Sequence, residues 1–407
     1  MTKRRMLLLA IAALFALVAA SCGDDDDDAS GESTEATDEE AAADSESSDG
    51  ESEDAGSESS DGGGAAAMPG EGVSVTMARA DWSTGYFQAY VYEALMEELG
   101  YDVSDPADLE LGPSLAYLSM AEGDFDFWVN SWYPGHKSWL ENELTDGSLV
   151  DDHVTIVGEE MMAGGLQGFL MTKSFAEEYG VMTMDDLNNN ADALAAFDAG
   201  DPVAGNGIAD IYGCQESWTC DDIITSQLAF SGWDNIQQTI AGYDAMMAEA
   251  VDKANAGEPM VIYTWTPSAY ITNLIPGENV VWLGVEEVLD DSNPTGVEGG
   301  EAHDQRPGTA SIGPEQCPAA ADSGTCQLGW IAADIQVTAN NEFLDANPAA
   351  AALLEQVTLS VIDVSLANVE QDAGADTSED IRGLATTWIE NNRDVVDGWL
   401  ETARAAA

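Results

Sequence analysis

Three tryptophans stand where the chain turns. Trp132 lies in Phe125-Asp-Phe-Trp-Val-Asn-Ser-Trp-Tyr-Pro-Gly-His136, Trp218 in Gly213-Cys-Gln-Glu-Ser-Trp-Thr-Cys220, and Trp265 in Tyr263-Thr-Trp-Thr-Pro267. Core burial is the ordinary fate of a single Trp. Three of them, each beside Gly, Pro or Cys, point elsewhere. An indole face carries negative quadrupole potential, and several faces around a cavity hold a quaternary ammonium at roughly 0.5–2 kcal/mol each. A methylated ammonium donates no strong hydrogen bond, so faces suit it better than polar groups do. If the ligand also bears a carboxylate, His136 and the N–H groups of Thr219 and Cys220, just ahead of a helix expected at Asp221, are placed for that end. Asp221 and Asp222 would compete for those N–H groups.

Bond-making chemistry has little to draw on. The chain has 3 His, no GxSxG and no P-loop motif, and its carboxylates are too many to single out a pair. No catalytic residue, metal or cofactor is expected. The formal charge is −66, from 11 Lys+Arg against 77 Asp+Glu. Phosphate contact needs a basic face, so nucleic acid is excluded as a partner. An anionic membrane surface would repel the body as well. Setting Cys22 aside, the cysteines form two close pairs, Cys214 with Cys220 and Cys317 with Cys326. No His lies near either pair and neither has CxxC spacing, so both read as short-range disulfides of an exported protein.

The elements that must carry these residues alternate between strand and helix. Phe125, Phe127 and Val129 alternate with acidic and amide residues, the period of a half-buried strand. It runs into Pro134-Gly135 and then a helical spacing of His136, Trp139 and Leu140. Val73–Met77 reads as a first strand, Arg79–Gly85 as a loop, Tyr86–Leu99 as a helix ended by Gly100, and Ser114–Ala121 as another. Leu166–Met171 is a strand, with short helices at Phe175–Tyr179 and Met184–Leu187. Gly205–Cys220 reads as turn chemistry, without the full spacing of a calcium loop. A helix at Asp221–Phe230, another at Asp244–Ala256 and a strand at Pro259–Tyr263 follow. The last delivers Trp265 just as the earlier strand delivers Trp132. Val280–Gly284 and Ile331–Ala339 are strands, Asp290–Cys326 a surface excursion, and Pro348–Val361, Val364–Gln371 and Glu379–Arg404 helices. The order is that of an α/β protein, and ligands of such folds gather at strand C-termini.

The N-terminus is a targeting signal. Lys3, Arg4 and Arg5 precede an apolar run from Met6 to Ala20, too short to span a bilayer. It ends in Ala19-Ala-Ser-Cys22, which resembles a bacterial lipobox with Ala19 in the usual Leu position. Residues 1–22 are therefore expected to be a lipoprotein signal peptide, with Cys22 lipidated. Residues 23–68 are Asp, Glu, Ser, Gly and Ala with no aromatic, and Gly23–Asp61 alone holds eighteen acidic residues and no Lys or Arg. Such a segment cannot bury enough surface to offset its ordering entropy and is expected to be a disordered acidic linker.

Taken together, Ser131-Trp-Tyr-Pro-Gly-His136, Gly213–Cys220, Tyr263–Pro267, Val280-Val-Trp-Leu283 and Asn347-Pro-Ala-Ala-Ala351 occur in an order that resembles the glycine betaine-binding proteins of osmoprotectant ABC importers, of the ProX type. The similarity covers nearly everything from Val73 to Leu400. It implies a type II periplasmic-binding-protein fold: two α/β lobes, residues 69–170 plus 335–407 and residues 171–334, hinged around a ligand cleft. It also implies that Trp132, Trp218 and Trp265 form the ammonium box and that His136 contacts the carboxylate, with the Thr219 and Cys220 amides beside it. Trp82 resembles an aromatic of related choline-binding proteins and is expected as a fourth wall. Those relatives carry an acidic residue two positions after that Trp, where this chain has Thr84, which argues against choline. The expected function is capture of glycine betaine, or a relative such as proline betaine, by a lipid-anchored extracytoplasmic monomer that passes it to ABC permease subunits. No chemistry is expected. Choline or carnitine binding and a ligand-sensing lipoprotein without transport are the alternatives.

Overall fold

The computed structural model describes residues 68–285 and 309–407. The signal peptide, Cys22 and all but the last residue of the acidic linker lie outside the described residues, as does much of the Asp290–Cys326 excursion. The described residues belong to one compact unit running from Gly64 to Ala407. Among them no single helix is long and apolar enough to cross a membrane.

Two five-stranded sheets organise the unit. The first runs Glu110–Leu111, Met77–Ala80, Phe127–Tyr133, Ala333–Asn340, Val154–Gly165. Its first three strands are parallel, and Ala333–Asn340 is antiparallel to both neighbours. The second runs Val280–Trp282, Gln167–Thr172, Val261–Trp265, Ala209–Tyr212, Ile236–Thr239. There Gln167–Thr172 is antiparallel to both neighbours and the last three are parallel. The chain passes from the first sheet to the second at Leu166, and it re-enters the first at Ala332 from a two-stranded sheet of Thr309–Ile312 and Cys326–Ile331. The boundary expected between residues 170 and 171 falls inside the strand Gln167–Thr172, and the one expected after residue 334 inside the strand Ala333–Asn340.

The strand Phe127–Tyr133 is not half-buried. All of its residues but Trp132 are buried, including Asn130 and Ser131. Asn130 and Ser131 find partners inside, Asn130 with Gln88 and Ser131 with Thr338, while Asp124, ahead of the strand, stays exposed. Helices form at Tyr86–Glu98, Pro113–Glu122, Lys173–Tyr179, Met184–Asn189 and Tyr243–Ala256, close to expectation. Gly180 and Gly257 cap two of them in the left-handed conformation.

Other expectations fail for identifiable reasons. Gly205–Cys220 is not all turn, because Ala209–Tyr212 is a buried strand of the second sheet. Turn chemistry flanks that strand: before it the Asp198 carboxylate accepts the N–H groups of Gly205, Asn206 and Gly207, and after it the Trp218 N–H donates to the Gln215 carbonyl. The expected helix Glu379–Arg404 is two helices, Ser378–Asn391 and Arg393–Ala406, broken at Asn392. The expected strand Ile331–Ala339 is likewise two, Cys326–Ile331 and Ala333–Asn340. Both disulfides, Cys214–Cys220 and Cys317–Cys326, are present.

Candidate ligand site

Trp82, Trp132, His136, Trp218, Thr219, Cys220 and Trp265 all line one cavity, together with Gln167 and Tyr263. Every residue singled out from the sequence for ligand contact is thus in one place. Trp82, Trp132 and His136 come from the first sheet and its loops. Trp218, Thr219, Cys220, Tyr263 and Trp265 come from the second. Trp82 packs edge-on against Trp218 at 5.5 Å between ring centres, and Trp218 edge-on against Trp265 at 5.7 Å. Tyr243 backs Trp265 at 4.5 Å. Trp82, Trp218 and Trp265 are each less than a tenth exposed.

Each indole is fixed by its one donor. Trp82 Nε1 and Trp132 Nε1 both donate to Asn130 Oδ1, at 2.7 and 2.9 Å. Trp218 Nε1 donates to Asp81 Oδ1 at 2.8 Å and Trp265 Nε1 to Thr84 Oγ1 at 3.1 Å. These last two bonds cross from the second lobe to the loop that follows Met77–Ala80. With every N–H engaged, none of the four indoles donates into the cavity. Space for Trp132 comes from Gly165, where a Cβ would lie 2.6 Å from the indole ring.

The opposite end of the cavity is built from neutral donors. Trp218 is the N-cap of the helix Thr219–Phe230, so Thr219 and Cys220 are its first two residues rather than its approach. Their N–H groups belong to the first turn, which has no carbonyls of its own to offer them. Asp221 does not take them over: its carboxylate accepts from Gln238 Nε2 at 2.7 Å. The Thr219 hydroxyl accepts from Trp139 Nε1 at 2.8 Å, a further bond between the lobes. His136 Nδ1 accepts the N–H of Trp132 at 3.1 Å, which places the proton of the neutral ring on Nε2. Burial pushes the imidazole down to about 3, so it is a neutral donor, not a cation. Its ring stacks on Trp128 at 5.8 Å. Behind it, Tyr117 donates to Tyr133, whose hydroxyl meets Thr338.

No carboxylate lines the cavity among the described residues. Asp81 stands behind the edge of Trp218, where burial raises its pKa against the opposing effect of the Trp218 bond. The arrangement therefore offers aromatic faces at one end and uncharged N–H donors at the other. It has no nucleophile paired with a base.

The family profile of the substrate-binding domain of ABC-type glycine betaine transport systems matches residues 73–391. The chain belongs to this family. It is 28% identical over 341 residues to the glycine betaine-binding periplasmic protein OusX of Dickeya dadantii, covering 84% of this chain and 92% of that one. It is 29% identical over 343 residues to the glycine betaine/proline betaine-binding periplasmic protein of Escherichia coli, covering 84% and 93%. Among solved structures, lactococcal OpuAC, closed on glycine betaine, aligns with a TM-score of 0.54 at 16% identity over 81% of this chain and 99% of that one. ProX from Borrelia burgdorferi aligns with a TM-score of 0.57 at 15% identity, covering 82% and 99%. The fold is that of the periplasmic binding proteins, and the family is one of transport receptors rather than enzymes.

Sequence reasoning missed the residues that hold the box rather than form it: Asn130, Asp81 and Thr84, with Tyr243 behind Trp265. Their signal was faint. An amide inside an apolar strand needs a buried partner, and Asn130 is such an amide. Asp81 and Thr84 flank Trp82 but look like ordinary loop residues.

Proposed function

We propose that the protein captures glycine betaine, or a close relative such as proline betaine, outside the cytoplasm and hands it to the membrane subunits of an ABC importer. The observation that carries this reading is the pairing of four indoles and Tyr263 with a cluster of neutral donors in a cavity lined by no carboxylate. Trp82, Trp132, Trp218 and Trp265 face the trimethylammonium group. His136 Nε2–H and the N–H groups of Thr219 and Cys220 meet the carboxylate at a helix start, whose dipole favours an anion. Choline, which has no carboxylate, would leave those donors unanswered. Residues 69–166 with 333–407 and residues 167–331 act as the two lobes and close on the ligand by a hinge motion. A lipid on Cys22 holds the protein, as a monomer, to the membrane, with residues 23–68 as the tether.

The test is calorimetric titration of the chain with glycine betaine, choline and proline, repeated for Trp265→Ala. Glycine betaine should bind best. Removing one desolvated face and its apolar contact, about 2–3 kcal/mol, should weaken it by roughly 30- to 150-fold while the fold is retained. Unchanged affinity in a folded Trp265→Ala protein would sink the box, and choline binding best would remove the carboxylate role of His136. For the anchor, Cys22→Ala should shift the protein from the membrane to the soluble fraction.

A further inference from the structure

Asn130 sits behind the cavity wall, 1% exposed, in the middle of the strand Phe127–Tyr133. Its Oδ1 accepts two indole N–H groups, from Trp82 at 2.7 Å and Trp132 at 2.9 Å. Its Nδ2 donates to Gln88 Oε1 at 2.8 Å, and Gln88 Nε2 donates to Glu160 Oε1. Gln88 and Glu160 are each no more exposed than Asn130. An indole N–H can only donate. That fact orients the whole chain: Asn130 must present oxygen to the rings, so its amide N–H faces Gln88, which must present oxygen in turn and point its own N–H at a carboxyl. The direction runs from two donor-only rings to one acceptor without a conflict. Trp82 and Trp132 lie on separate segments, and one oxygen sets the edge of both.

We propose that Asn130 is the positioning residue of the ligand box, holding the faces of Trp82 and Trp132 toward the methylated ammonium while touching no ligand itself. A second observation bears on the same point. Gly85 lies against this contact, where a Cβ would stand 3.1 Å from Asn130 Cγ and 3.2 Å from both Asn130 Oδ1 and Trp82 Nε1. A side chain there would press on the shared hydrogen bonds from outside. The inference rests on the betaine-binding reading above and deepens it, since it says what fixes the box rather than what fills it.

The test compares the unaltered protein with Asn130→Leu, Asn130→Asp and Gly85→Ala. Binding of glycine betaine and of tetramethylammonium, which has no carboxylate, is measured alongside the ¹H–¹⁵N signals of the indole N–H groups. Trp82→Phe and Trp132→Phe assign those signals. Asn130→Leu leaves both rings without an acceptor and should move both indole signals. It should weaken both ligands by the same factor, about ten- to hundredfold from two lost hydrogen bonds. Asn130→Asp keeps an oxygen for both rings, with Gln88 reversing its amide, and should keep both signals and recover most of the affinity. Gly85→Ala should shift the same two signals and weaken both ligands by a smaller factor.

A merely structural role would lower the melting temperature and leave the folded protein's affinity unchanged; that result in Asn130→Leu overturns the proposal. If Asn130→Leu does not fold, Gly85→Ala decides, and unmoved indole signals with unchanged affinity overturn it equally. Failure of the unaltered protein to bind either probe overturns the betaine reading, and this inference with it. Binding by the unaltered protein with indifference to Asn130 overturns the inference alone.

Discussion

Replacing Glu160 by Gln should change how stability depends on pH, and the structure sets both sign and size. Glu160 is buried in the strand Val154–Gly165, with Gln88 donating to it and the Tyr92 hydroxyl against it. Burial pushes its carboxyl up from 4.5 to about 8, against the smaller opposing pull of Gln88 and Tyr92. The folded chain thus holds a proton that the unfolded chain releases above about pH 4.5. The stabilisation is fully present below that value and is lost as pH rises through about 8. At about 1.4 kcal/mol per pH unit, the loss between pH 5 and pH 8 is roughly 3.5 kcal/mol. Glu160→Gln has no proton to lose and keeps an oxygen for Gln88. Its stability relative to the unaltered protein should therefore rise by that amount across the interval. For a unit running from Gly64 to Ala407, with an unfolding entropy near 0.7 kcal/mol per kelvin, this is about 5 °C in Tm. Scanning calorimetry of both proteins at pH 5, 6.5 and 8 measures it. Groups that titrate alike in the two proteins, His136 included, cancel in the difference. A difference independent of pH would refute the reasoning, because it would mean that Glu160 is already ionised in the folded protein.

His136 behaves with the opposite sign: its folded value lies below the ordinary 6.5, so its contribution to stability is present above that pH and lost as pH falls toward about 3. Because the folded ring is neutral throughout, glycine betaine affinity should stay flat from pH 5 to pH 8; a fall above pH 6.5 in titrations would mean that the imidazolium binds the carboxylate. Ser217 has φ +82°, a left-handed conformation that a side chain disfavours, immediately before Trp218. Ser217→Gly should raise stability by about 1 kcal/mol in urea unfolding, and a loss of stability would show that its side chain carries a compensating contact.

Much of the architecture was legible because hydrophobic period and helix punctuation agree with the tertiary outcome. Tyr86–Glu98 and Tyr243–Ala256 start and stop within a residue or so of their local signals. The failures share a cause. The alternation of Phe125, Phe127 and Val129 with Asp124, Asp126 and Asn130 reads as a strand with one wet face, yet Phe127–Tyr133 is buried but for Trp132, since burial is decided by what packs on the sheet. Ala209–Tyr212 was hidden among Asn, Asp and Gly because its pairing partners lie far along the chain. The passage at Ala332 has no punctuation at all. The aromatic members of the cavity were legible from residue type and turn context. The groups that orient them were not: that Asn130, Gln88 and Glu160 meet depends on a strand, a helix and another strand converging, and no spacing along the chain encodes it.

The bonds from Trp218 to Asp81 and from Trp265 to Thr84 separate two properties that are usually measured as one. Two walls of the cavity are tied to acceptors on the other lobe, so these ties exist only while the lobes meet. Loosening Asp81 or Thr84 changes the fraction of protein that is competent to bind, and the apparent dissociation constant of every ligand scales by that same fraction. The ranking among ligands, set by the indole faces and the neutral donors, stays as it was. Overall tightness can drift when either bond is lost while Trp82, which lies between Asp81 and Thr84 in the chain, and the other walls stay in place.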